Sequence, residues 1–137
     1  MVDVREAPEG VGPHEGRELQ LMLSGEKPLA MFSDAVGSTH LPPEADFAPY
    51  VADGTFVRRE EIYQSPNSNE ALRCVYFARK EDEWRVEALH RIQERLHVFK
   101  EPTSPDTERE IGRLLGYSDA QIDQFLEWTK THHLHNE

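Results

Sequence analysis

The sequence predicts an α+β fold: an antiparallel sheet of about three strands, packed by helices, with a helical hairpin closing the C-terminus. Three observations carry this reading. The runs TFVRREEIYQ and EALRCVYFARK flank SPNSN as the arms of a hairpin flank its turn. A short apolar run, LAMF, sits between breakers upstream. Downstream, apolar residues recur at helical spacing from Trp84 onward, interrupted by Pro102, Pro105 and Gly116. The expected order is α, β, β, β, α, α, α.

Residues 1–13 hold two prolines, two glycines and no periodic apolar face, so they read as a flexible arm before one domain spanning 14–137. In HEGRELQLML, Leu19, Met22 and Leu23 share a helical face, Glu15 and Glu18 occupy the early turns, and Gly25 ends the helix. KPLAMFSD reads as a short buried strand. Residues 33–54 are the least regular. They predict one helical turn over 44–48, with Pro43 at its first position and Phe47, Tyr50 and Val51 tacking the segment to the core. The first hairpin arm carries charge from Arg58 to Glu61 and so belongs at a sheet edge. The second is apolar on both faces from Leu72 to Ala78 and so belongs in the middle.

EDEWRVEALHRIQERLHVF alternates like a strand at first, yet its helical stripe persists longer. Trp84, Ala88, Leu89, Ile92 and Leu96 align, and the pairs Glu81–Arg85 and Glu87–Arg91 are four apart. The run holds strong helix formers without Gly or Pro, so a helix over 82–98 is predicted. After it, Ser104 is an N-cap with Pro105 at the first helical position. Ile111, Leu114 and Leu115 form a buried face, and Gly116 ends that helix. Ser118 and Gln121 spell a capping box, Tyr117 and Ile122 a hydrophobic staple, and Ile122, Phe125 and Leu126 point inward.

Ile111, Gly112, Leu115, Gly116, Ile122 and Phe125 resemble in spacing the helix-turn-helix of bacterial regulators, over about twenty residues. That resemblance implies a DNA-binding regulator whose second helix enters the major groove. The residue chemistry opposes it: Asp119, Gln121, Asp123, Gln124 and Glu127 face outward there, and the nearest base is Lys130 at the far end.

The chain carries 26 acidic and 15 basic side chains, a net charge of −11. Such a field repels phosphate backbones and anionic membranes and attracts basic proteins. No Gly-rich phosphate loop, nucleophile elbow, paired-carboxylate signature or zinc motif occurs. The first expectation is therefore a small acidic interaction protein of inhibitor or immunity type, docking on a basic partner. The alternative is a small ligand-binding or enzymatic domain with a pocket between the hairpin and the Trp84 helix, where Arg73, Tyr76, Trp84 and His90 converge. His90 and His97, seven apart, share a helix face; paired with Glu87 or Glu94 they would serve as acid and base in that alternative, but their first reading is as the lining of a partly wet helix face. The helix-turn-helix regulator is the third reading, with nucleic acid a disfavoured partner.

No metal or cofactor is expected. His132, His133 and His135 cluster in the tail, but no second cluster stands at zinc-site spacing, so they read as a frayed helix end. Cys74 lies mid-strand and reads as a small core residue with a reduced thiol. The opening residues hold acids and prolines where a signal peptide needs a basic end and an apolar stretch, so the expected location is cytoplasmic, without membrane association. An edge strand over 55–63, or an apolar helix face, makes a two-fold homodimer available.

Overall fold

A computed structural model describes residues 17–36, 44–64, 66, 69 and 71–132, so the arm expected over 1–13 lies outside the described residues. The architecture is α+β. Strands β1 (Leu29–Ala35), β2 (Val57–Gln64) and β3 (Ala71–Ala78) form an antiparallel sheet in the order β1-β3-β2. The hairpin register sets Arg59 opposite Tyr76 and Tyr63 opposite Leu72, and β1 lies along the other side of β3 with Met31 opposite Tyr76. β3 is central because both of its faces are apolar. β2 is an edge because Arg58 to Glu61 put charge on both of its faces.

Strand alternation divides the sheet into two cores. Cys74, Tyr76 and Ala78 join Leu29 and Tyr63 beneath helices α3 (Glu83–His97) and α4 (Pro105–Leu114), which contribute Val86, Leu89, Ile92 and Leu114. On the other face Val75, Phe77 and Ala30 meet Met22 of α1 (Glu18–Ser24), Phe47 of α2 (Glu44–Ala52), and Phe56. Phe47 stacks on Phe77 with centroids 4.4 Å apart. Burying each such ring contributes about 1.5–3 kcal/mol from area alone.

Two elements differ from the sequence reading. α2 extends beyond the predicted turn over 44–48 and runs through Pro49, because Phe47 on Phe77 and Tyr50 on Phe56 anchor both of its turns. In α3 the buried stripe is Val86, Leu89, Ile92 and Gln93, and Trp84 stays 59% exposed. Trp84 and Val86 lie about 200° apart around the helix, so both cannot face the sheet. The 3₁₀ turn Lys80–Asp82 starts α3 in the phase that turns Val86 inward, and Arg85 lays its guanidinium 4.7 Å from the Trp84 ring centre. Arg85 pairs with Asp82 rather than the expected Glu81, whereas Arg91 and Glu87 pair as predicted.

The C-terminal helices α4 and α5 (Asp119–His132) are in contact. Ser104 Oγ accepts the Thr107 N–H at 3.1 Å. Ser118 and Gln121 exchange reciprocal bonds: the Gln121 N–H donates to Ser118 Oγ at 3.1 Å, and the Ser118 N–H donates to Gln121 Oε1 at 2.9 Å. Where the helices cross, a Cβ at Gly112 would lie 2.7 Å from Ile122 Cγ1. At Gly116, φ is +92° and a Cβ would meet Pro28 Cδ at 2.5 Å, so only glycine suits both the turn and the approach.

Cations meet the carbonyl ends of two helices. Arg79 donates to the Met22 and Leu23 carbonyls of α1. Arg85 reaches the Arg113 and Leu114 carbonyls of α4, and Lys27 reaches Leu115 O at 2.5 Å with its ammonium 5.0 Å from the Tyr117 ring centre. The negative end of each helix dipole and its orphan carbonyls are thereby satisfied. Lys27 is almost fully buried; that burial, offset in part by Glu18, lowers its pKa to about 8.

Candidate functional site

The face of the sheet under α3 carries a chain of polar side chains. β2 and β3 bring the Tyr63 and Tyr76 hydroxyls to 2.6 Å, and Tyr63 also shares a hydrogen bond with His90 Nδ1 at 2.8 Å. The Tyr63 ring lies between His90 and His97, with centroids 5.6 and 6.3 Å away. Across the sheet Ser33 Oγ lies 3.2 Å from Cys74 Sγ, and Gln93 Nε2 donates to Met31 Sδ. Burial pushes the Tyr63 and Tyr76 phenols and the Cys74 thiol up. The same effect, reinforced by Lys100, holds His97 down. Each of these groups therefore favours its neutral form, which suits hydrogen bonding within a packed interior and disfavours attack by a thiolate or phenolate.

Of the four residues expected to converge, Tyr76 and His90 are joined through Tyr63. Arg73 lies on the opposite face of the sheet, because it is odd in the β3 alternation where Tyr76 is even. Trp84 projects outward from the first turn of α3. Tyr63, the residue that links the pair, was missed. Its signal was the alternation of Val57, Arg59, Glu61 and Tyr63, which puts it on the α3 face. Tail residues His133 and His135 lie outside the described residues. Among the described residues, no group of three or more His, Cys, Asp or Glu is placed to hold a metal ion.

Arg73 instead belongs to a charged lattice on the α2 face. It bonds both carboxylate oxygens of Glu44 at 2.9 Å and Glu60 at 2.7 Å, while Arg58 bridges the same two glutamates. Burial works against the Glu44 charge, but bonds from Arg58 and Arg73 win and hold its carboxyl below the usual range. Beside the lattice an open groove of about 390 Å³ runs between α2 and β2, floored by Phe77 and walled by Ala48, Val51 and Ala52.

Other arginines are also paired within the chain, whereas Lys80, Arg91, Arg95 and Lys100 are exposed. Arg59 binds Glu61 and Glu87, each at 2.6 Å. Arg109 and Arg113 of α4 bind Asp123 and Asp119 of α5. Asp46, Asp53, Glu81, Glu83, Asp106 and Glu110 are exposed. No helix among the described residues is long and apolar enough to cross a membrane. Comparisons with protein-family models, with curated proteins and with solved structures find no match for this chain.

Proposed function

We infer that this domain is an acidic docking module that binds a basic surface on another protein. One observation carries the reading: Arg59, Arg73, Arg79, Arg109 and Lys27 are committed to carboxylates and helix carbonyls of their own chain, while exposed carboxylates outnumber the exposed Lys80, Arg91, Arg95 and Lys100 in a chain of net charge −11. Trp84 marks a natural anchor for such docking. It is a large exposed aromatic between Glu83 and the Arg85 guanidinium, with exposed Glu81 three residues earlier. Exposed tryptophan is the residue type that most often dominates interface energy.

The enzymatic alternative has less support, since the Tyr76 and Tyr63 phenols are held neutral by burial and are packed on one another and on His90. The helix-turn-helix alternative has less again. Its second helix presents Asp119 and Asp123, and both already hold the arginines of α4 that would otherwise face phosphates.

The test is a low-salt affinity capture with the full chain, followed by association kinetics on the purified stoichiometric partner. The expected partner is basic. Its association should slow steeply as salt rises, slow further with Glu81→Gln and Glu83→Gln, and give a complex that dissociates faster with Trp84→Ala. An association rate that ignores ionic strength sinks the reading. So does a shift of random duplex DNA at low salt with no protein captured.

A further inference from the structure

β2 pairs with β3, and among the described residues no strand lies along its other edge. The groove between α2 and β2 opens on the face of β2 that carries Arg58, Glu60 and Ile62. On that face Ile62 stands 56% exposed, a large aliphatic side chain unlike the charged residues that usually guard an edge. An apolar key and an apolar groove thus occupy one face of one edge strand.

The geometry points to a second copy of this chain as the occupant: two β2 strands pair antiparallel about a two-fold axis, and each Ile62 enters the groove of the other copy. A two-fold axis normal to the sheet keeps each face on its own side, so residues of equal parity must lie opposite one another. Two registers then match charges. Centred on Arg59, the pairing sets Arg58 of each copy opposite Glu60 of the other. Centred on Glu60, it sets Arg59 of each copy opposite Glu61 of the other. Ile62 falls opposite Phe56 in the first register and opposite Arg58 in the second. Both positions adjoin the groove wall at Arg58.

In either register the like-charged pair at the axis is flanked by two opposite-charge pairs, which offset its repulsion, and its members keep partners within their own chain. Arg59 lies against Glu61 and Glu87, and Glu60 against Arg58 and Arg73. The order Arg-Arg-Glu-Glu therefore disfavours most strands yet complements its own reverse, which selects a copy of itself over an unrelated peptide.

Salt separates this inference from docking on a basic partner. Bringing two chains of net charge −11 together is opposed at long range, so screening should tighten self-association and loosen the heterologous complex. Sedimentation equilibrium on the full chain across a wide concentration range, at low and high salt, makes the test. The expected result is a monomer–dimer equilibrium that salt strengthens. Ile62→Ala should weaken it roughly a hundredfold, because each dimer loses two contacts of roughly tenfold each. Ile62→Lys, which removes the key, and Ala48→Arg, which fills the groove, should both leave monomers; each changes an exposed side chain, and far-UV circular dichroism checks the fold. A wild-type chain that stays monomeric at every concentration and salt overturns the inference. A dimer indifferent to either Ile62→Lys or Ala48→Arg overturns it as well.

Discussion

Replacing Lys27 by Met removes a buried ammonium while keeping most of its volume, and the effect should change with pH in a calculable way. Lys27 has a folded pKa of about 8 against 10.5 for the ordinary side chain. Below pH 8 the ammonium is charged in both folded and unfolded chains, and the folded state carries the full desolvation penalty. Above pH 8 the folded chain loses this proton first, so the unfolded state binds more protons and stability rises with pH. From those two values the gain is about 1.4 kcal/mol at pH 9 and about 2.5 kcal/mol at pH 10. The neutral amine still donates to Leu115 O, so the tether survives. At neutral pH the variant loses a hydrogen bond worth about 1–3 kcal/mol and is relieved of a penalty of about 3 kcal/mol, so it should match wild type or exceed it by up to about 2 kcal/mol. Cys74, Tyr63 and Tyr76 run the opposite way, since burial raises them and their unfolded forms ionise first near pH 9 to 10. They are common to both proteins and cancel in the difference. Urea denaturation of the pair at a series of pH values measures that difference directly. Wild type should overtake the variant progressively above pH 8. A difference that stays flat from neutral to pH 10 refutes the assignment of a strongly depressed Lys27.

Two further substitutions probe the C-terminal helices and the end of α3. Gly112→Ala should destabilise the domain by about 1–3 kcal/mol despite alanine's better helix propensity, because the new methyl meets Ile122 Cγ1 and Cδ1. Thermal denaturation should show the double variant with Ile122→Ala losing less than the sum of its parts, and strict additivity would contradict the contact. Lys100, with φ +57°, occupies a left-handed position just after α3, so Lys100→Gly should stabilise by about 0.5–1 kcal/mol in a urea titration; a loss of stability would show that the side chain contributes more than its backbone strain costs.

The sequence was most legible where one residue's chemistry decides a local geometry. The Ser104 cap, the Ser118–Gln121 box and the left-handed Gly116 follow from bonds within four residues, and all three are present. The central place of β3 was legible because apolar residues on both faces of a strand admit no other location. The phase of α3 was not, since Trp84 and Val86 both fit an apolar stripe and the 3₁₀ turn that chooses between them leaves no periodic trace. The Tyr63–Tyr76–His90 chain was half legible: two of its members were named, while the third depended on the hairpin register. Arg73 was placed with Tyr76 by nearness along the chain, although three steps along a strand reverse the face. The groove draws α2 residues beside β2, a meeting of distant segments that no local pattern encodes.

The tether from Lys27 to Leu115 joins the first strand's approach to the last turn of α4, 88 residues apart, and Arg85 reaches the same helix end. A chain leaving the ribosome can pair its three strands before that acceptor has been synthesised. Until it emerges, the Leu115 carbonyl is not there to hold the Lys27 ammonium and Leu114 has not yet covered its part of the sheet. Closure of the domain therefore waits on translation of the α4 end, and a nascent chain stalled before Leu115 should remain exposed to proteases and chaperones.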